Sequence, residues 1–252
     1  MRKPSQLSRR TLLASLLALS GCDRLVGNET TRSVVSHEGS WSLALRNAFG
    51  TSALAREFQP ADVTKAFKAN GSVNPDDDAY QEWAEGKFAE WRLEIDGLVE
   101  RPAKLSLEEI RALPSRTQIT RHDCVEGWSC IGKWKGARLS ALLESVGVKP
   151  EARYVMFRCA DALDRLAPEN KYYESIDLAE ARHEQTILAY EMNDEVLPVR
   201  HGAPLRLRVE RQLGYKMAKY IMRIELVADL AGVGDGNGGY WEDLGYDWYA
   251  GI

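Results

Sequence analysis

Between Trp91 and Val227 apolar residues recur at every second position in short runs, and nowhere in that stretch does a 3.6-residue period last beyond a few turns. Side chains alternate faces along a strand, so this pattern specifies half-buried strands and leaves room only for brief helices. Trp91-Arg92-Leu93-Glu94-Ile95 alternates and stops at the turn pair Asp96-Gly97, and Gln118 to Asp123 reads as a strand running into Cys124. Tyr154 to Cys159 and Tyr220 to Val227 alternate again, Thr186–Met192 and Glu195–Val199 form a hairpin around Asn193-Asp194, and Leu205, Leu207 and Val209 face a core opposite Arg206, Arg208 and Glu210. Ser106-Leu107-Glu108-Glu109 is a capping box opening a short helix before Pro114, and Ser140 caps a helix that ends at Val146-Gly147. The expected class is α+β, with mixed, mostly antiparallel sheets and short helices.

The flanks differ. Residues 22–90 have weak periodicity and scattered aromatics, and read as an N-terminal tether with short helices packed on a main domain at 91–228. Asn74-Pro75-Asp76-Asp77-Asp78 within them reads as a turn and a solvated acidic patch. Residues 229–252 form a glycine-rich, aromatic tail. Gly234-Asp235-Gly236-Asn237-Gly238-Gly239 fits G-x-G-x-x-G, but the 13 residues after it cannot supply the helix, second strand and ribose-binding acid of a dinucleotide fold. It is read as a loop, and the aromatic end (Tyr240, Trp241, Tyr246, Trp248, Tyr249) as docked surface.

Residues 1–21 carry Arg2, Lys3, Arg9 and Arg10, no acid, and the apolar run Thr11–Leu19. A basic segment before about ten apolar residues is an export leader, too short for the ~20 residues of a membrane span. Ser8-Arg9-Arg10-Thr11-Leu12-Leu13 resembles the twin-arginine signal, and Leu19-Ser20-Gly21-Cys22 the lipobox at which Cys22 becomes the acylated first residue. Asp23 behind it resembles the inner-membrane retention signal, so the expected address is periplasmic, lipid-anchored to the inner membrane.

Without the leader 231 residues remain, enough for one large domain, and loss of its four bases takes the formal charge from −4 to −8. Such a field does not suit nucleic acid. Within this acidic chain, Arg200 to Arg223 holds seven bases against one acid, Glu210, which suggests either an anionic ligand, phosphate above all, or a solvated face paired with acids elsewhere. Of the cysteines, Cys124, Cys130 and Cys159 remain once Cys22 is lipidated. One disulfide plus one working thiol is the simplest division; Cys124 at a strand end fits a thiolate for a thiophilic metal, a buried structural cysteine or a pairing with Cys130. The four histidines show no metal-ligand spacing.

Cys124-Val125-Glu126-Gly127-Trp128-Ser129 resembles the molybdenum-ligating segment of the periplasmic methionine-sulfoxide reductase catalytic subunits, a branch of the sulfite-oxidase superfamily. His201-Gly202-Ala203-Pro204-Leu205-Arg206 and Gly214-Tyr215-Lys216-Met217-Ala218-Lys219-Tyr220 resemble two further segments of that superfamily, in its order. The resemblance implies a sulfite-oxidase-type molybdopterin-binding fold with a molybdenum-molybdopterin cofactor. Cys124 would be the thiolate on the metal. His201, Arg206, Lys216 and Lys219 would lie at the pterin or its phosphate, and Glu126 at the mouth as a proton relay or substrate-orienting group. Cys130 and Cys159 would then pack or pair with each other.

The implied activity is two-electron oxygen-atom transfer on a small-molecule oxide or oxyanion, with electrons exchanged with a separate membrane or c-type cytochrome. The superfamily's C-terminal immunoglobulin-like dimerisation domain has no counterpart here, so a monomer is expected. A desolvated Glu126 at ~6 Å from sulfite would cost about 5 kcal/mol at an effective dielectric of about 20. That favours a neutral S- or N-oxide and a Glu126 whose pKa is raised. Sulfite oxidation is the first alternative, and a non-catalytic lipoprotein that kept the fold is the second.

Overall fold

The computed structural model describes residues 52–164 and 167–252, together with Leu43, Ala44 and Arg46. The leader and Cys22 lie outside them. Among the described residues no helix is long and apolar enough to cross a membrane.

Among the described residues ten strands form two five-stranded sheets. The first has the order β2 (Ala103–Ser106), β1 (Arg92–Gly97), β10 (Ile221–Val227), β5 (Tyr154–Ala162), β6 (Lys171–Asp177). Only the β1–β10 pair, with Glu94 opposite Arg223, is parallel. The second has the order β3 (Ser115–Cys124), β4 (Trp128–Arg138), β7 (Ile187–Met192), β8 (Glu195–Val196), with β9 (Arg206–Arg208) also on β7, and is antiparallel throughout. The helix α1 (Asp78–Glu85) precedes β1, and between strands lie α2 (Leu107–Ala112), α3 (Leu139–Val146) and α4 (Leu178–Ala181). The fold is α+β with short helices, as the alternation predicts.

One core joins the sheets. Leu93 and Ile95 of β1, Val155 and Phe157 of β5, and Ile224 and Leu226 of β10 meet Leu188 of β7, Leu207 of β9 and the Leu142, Leu143 and Val146 face of α3. At roughly 1.5–3 kcal/mol per fully buried aliphatic or aromatic side chain, this cluster is the main force holding the sheets together. Asn193 and Asp194 both take positive φ, +54° and +66°, as a tight hairpin demands.

Several local expectations shift. Ser140 lies inside α3, whose N-cap is Arg138 and has no side-chain cap bond. Asp96-Gly97 ends β1 instead of following it, because Asp96 pairs with Glu225 in the parallel ladder. Asp77 is not merely solvated: it caps α1 by accepting from the Tyr80 amide and pairs with Lys171 at 3.0 Å. Strands β2, β4 and β6 have no clean alternation. In β4 the positions that would carry apolar residues hold Gly132 and Gly136, and β6 buries Glu174 and Ser175.

Candidate active site

β3 and β4 pair residue for residue from Ser115–Ala137 to Cys124–Trp128, so the ladder delivers Cys124 to the hairpin end. The turn closes with the Gly127 amide donating to the Cys124 carbonyl at 3.0 Å. Gly127 has φ +83°, and a Cβ there would touch nothing, so backbone conformation and not space requires the glycine. The Cys124 thiol is half-buried, and burial pushes its pKa up. Cys130 and Cys159 are also free and buried. The disulfides left open by the sequence do not form: Trp128 and not Cys130 lies opposite Cys124, and Cys130 and Cys159 belong to different sheets.

The basic island splits in two. Arg208 grips Glu210 with two nitrogens, Arg211 reaches Glu180 at 2.8 Å, Arg223 reaches Asp96 at 2.9 Å, and Lys216 sits between Glu174 and Glu242 at 2.5 Å from each. Lys216 is wholly buried with its charge matched by two carboxylates, so the expectation that it binds phosphate is corrected: it ties the tail, through Glu242, to β6. Arg206 and Lys219 are different. Arg206 is 0 % exposed and donates only to the His201 carbonyl at 3.2 Å and Asn70 Oδ1 at 3.0 Å. Lys219 donates to the carbonyls of Asn70 and Ser72. Among the described residues neither forms an ion pair.

Two buried cations with only neutral acceptors create a strong positive field. Burial, then Arg208, lowers Arg206 to about 9, and burial, then Arg206, lowers Lys219 to about 7. His201 is held down to about 4 by burial and the same arginine, so it is neutral at pH 7. Gly202 makes the crowding possible, since at φ +113° a Cβ would fall 2.9 Å from Lys219 Cβ and 3.3 Å from Arg206 Cβ. Asp161 opposes this field at Lys219 and Glu210 at Arg206, but neither is in an ion pair with them, so the arrangement suits an anionic ligand.

Cys124, Asn70, Asp161 and Lys219 line a single open cleft of about 710 Å³. Asp161 was not picked out from the sequence. It is buried, its Oδ2 accepts from Ser72 Oγ at 2.5 Å, and its Oδ1 has no partner; burial raises its pKa. His201 Nδ1 and Arg206 Nε are likewise without partners. Unpaired buried polar atoms are costly, and a ligand with both an anionic group and N–H donors would satisfy this set. Molybdopterin carries a phosphate and the N–H groups of its pterin, and the residues fit it. Among the described residues no cluster of three or more His, Cys, Asp or Glu could hold a metal; a thiophilic metal at Cys124 would suit a cofactor that brings sulfur ligands of its own, as a dithiolene does.

Glu126 lies at the mouth but differs from its expectation. It is 61 % exposed, accepts from Trp128 Nε1 at 2.8 Å and stands 3.5 Å from Lys68 Nζ. The indole bond and the lysine lower its pKa, so it is an ionised, solvated carboxylate and not a ready proton donor. The predicted upward shift is corrected, and Lys68 with solvent screening removes most of the predicted repulsion of an anion. The remaining lining is apolar or aromatic: Val125, Leu163, Met217, Tyr172, Tyr215 and, from the tail, Trp241 and Tyr246. Sequence reasoning placed the tail as docked surface; it is docked, and two of its rings also face the cleft.

Residues 81–231 match the family described as the oxidoreductase molybdopterin binding domain. The chain is 37 % identical over 246 residues to the putative protein-methionine-sulfoxide reductase subunit YedZ1 of Azospira oryzae, covering 97 % of this chain and 86 % of that protein. It is 35 % identical over 147 residues to the protein-methionine-sulfoxide reductase catalytic subunit MsrP of Campylobacter jejuni, covering 55 % of this chain and 50 % of that one. Among solved structures, the sulfane dehydrogenase SoxCD of Paracoccus pantotrophus superposes with a TM-score of 0.50 at 26 % identity over 56 % of this chain and 39 % of its own. With a free thiol, a buried lysine and a buried carboxyl with an unpartnered oxygen already lining one cleft, the chain belongs to the oxidoreductase molybdopterin-binding domain family, and it is a molybdopterin-dependent oxidoreductase of the sulfite-oxidase fold.

Proposed function

We propose that this enzyme reduces a small neutral S- or N-oxide, R₂SO + 2e⁻ + 2H⁺ → R₂S + H₂O in the sulfur case, with electrons delivered by a separate cytochrome. The observation that carries the reading is the cleft lining. Beyond Lys219, which would face the cofactor's anionic group, the described residues place no cation in the lining to hold an oxyanion, and its surface is otherwise largely apolar. The names of the two methionine-sulfoxide reductase relatives support the same substrate class. The bound cofactor supplies the two-electron oxygen-atom chemistry, while the chain holds it and shapes the approach. Cys124 would bind the metal, Arg206 and Lys219 the phosphate, and Asp161 and His201 the polar edge of the pterin. The Lys68–Glu126 pair leaves the mouth close to neutral, which keeps sulfite oxidation as the second reading. Molybdenum-loaded enzyme assayed with reduced viologen on dimethyl sulfoxide, methionine sulfoxide and trimethylamine N-oxide, beside sulfite with ferricyanide, decides between them. Efficient sulfite turnover with negligible oxide reduction would reverse the reading.

Replacing either unpaired cation tests the anion site. Lys219→Met and Arg206→Met each remove a charge-assisted contact worth about 1.5–3 kcal/mol, so cofactor affinity should fall roughly 10- to 150-fold. In the cofactor-free protein the loss of a poorly compensated buried charge should offset much of the lost hydrogen bonding, so stability should change less than cofactor affinity. Pterin content and melts of both forms check this, and undiminished occupancy in both variants would assign the island to structure alone.

The proposed address, periplasmic and lipid-anchored to the inner membrane, rests on the leader pattern and on Cys22. In cell fractionation Cys22→Ala should move the protein from the membrane to the soluble periplasmic fraction, and Arg9→Lys with Arg10→Lys should retain precursor in the cytoplasm. A wild-type chain found soluble would remove the anchor.

A further inference from the structure

We propose that Trp241 and Tyr246 of the C-terminal tail form the substrate-selecting wall of the site, receiving an apolar group attached to the reacting S=O; this rests on the oxide-reductase reading. The polar lining and the aromatic lining of the cleft are separately organised. Asn70, Asp161 and Lys219 are tied through Ser72 into one polar set, whereas Tyr246 stands 5.2 Å from Trp241 and 5.3 Å edge-on from Tyr215, ring centre to ring centre, as one aromatic set. The first set has the unsatisfied charge and acceptors that suit the cofactor. The second has none, and an aromatic surface near a metal-binding thiol suits an alkyl or aryl group on sulfur, since rings also attract thioether sulfur.

The wall is held before any substrate arrives. Glu242, next to Trp241, is locked in the buried ion pair with Lys216, and Lys216 is next to Tyr215. The Tyr215 hydroxyl donates to the Asp247 carbonyl at 2.6 Å, and the Tyr246 amide donates to the Trp241 carbonyl at 3.0 Å. A preorganised surface loses little freedom on binding, so its contacts appear in affinity. Tyr246 is still 36 % exposed, which leaves the wall open to a substrate from solution.

The test uses molybdenum-loaded Tyr246→Ala and Trp241→Ala, with metal content measured first. With reduced viologen as donor, kcat/KM for methyl p-tolyl sulfoxide relative to dimethyl sulfoxide should fall about tenfold in each variant, carried by KM and not by kcat. Equal loss on both substrates, or an unchanged ratio, would overturn the proposal. If Trp241→Ala loses metal through misfolding, the more exposed Tyr246→Ala carries the result. Calorimetry of methyl p-tolyl sulfide on the loaded enzyme separates this idea from the reading beneath it. Binding weakened about tenfold in the variants supports the wall even if the wild type reduces no sulfoxide, and unchanged binding overturns it whatever the activity.

Discussion

Cys124→Ser should abolish turnover while leaving the fold intact. The side chain sits at the end of a ten-residue ladder, half-buried and without a disulfide, so exchanging sulfur for oxygen disturbs little packing. A serine hydroxyl is hard and stays protonated near neutral pH, whereas a thiophilic metal needs a soft thiolate. Loss of a metal ligand is expected to reduce activity by at least the roughly 100-fold seen when supporting residues of metal sites are removed. The pterin contacts are untouched, so organic cofactor should still be present and the electronic spectrum of the metal should change. Full activity in this variant would remove Cys124 from the metal. Cys130→Ser and Cys159→Ser should instead lower the melting temperature and leave turnover rates near wild type, because both thiols are buried away from the cleft lining.

The second large effect is on stability. Lys216→Met should destabilise the protein by about 3–5 kcal/mol, because it leaves the buried Glu174 and Glu242 facing each other with no cation. Glu174 already carries a pKa well above the ordinary carboxylate value of 4.5, pushed up by burial in the first place and by Glu242, against the pull of Lys216. A group whose folded pKa is raised contributes stability that is complete below its unfolded pKa and is lost as pH rises through the folded one. The wild type should therefore lose stability from about pH 4.5 upward through the folded pKa of Glu174, and Glu174→Gln should flatten that slope. Melts between pH 4 and 9 check both, and a parallel pH profile in Glu174→Gln would remove this carboxyl as the source. Tail docking should weaken with Lys216→Met, seen as faster proteolysis after residue 228.

How far the site was legible varies by residue. Cys124, His201, Arg206 and Lys219 are singled out by the resemblance of three ordered segments, and of these Cys124 and Lys219 line the cleft. Asp161 was hidden, since an acid at the end of a buried strand looks like any surface acid until burial and its unpartnered oxygen are known. Asn70 and Ser72 were hidden because a segment without periodicity contributes backbone carbonyls, which no residue type announces.

What the sequence determined by itself was the period-2 alternation, and with it the α+β class, most strands and the hairpin turn at Asn193-Asp194. Those features depend on neighbours a few residues apart, whose side chains must point to the same face. What only the tertiary structure decided was the assignment of charge. Lys216 and Lys219 lie three residues apart in one segment; the first is ion-paired with Glu174 and Glu242, brought in from β6 and the tail, and the second hydrogen-bonds only carbonyls, with the buried Asp161 acting on it without an ion pair. Whether a buried cation is neutralised by the fold or left to attract a ligand depends on carboxylates distant in the chain, because electrostatic energy follows distance and burial in space and not order along the backbone.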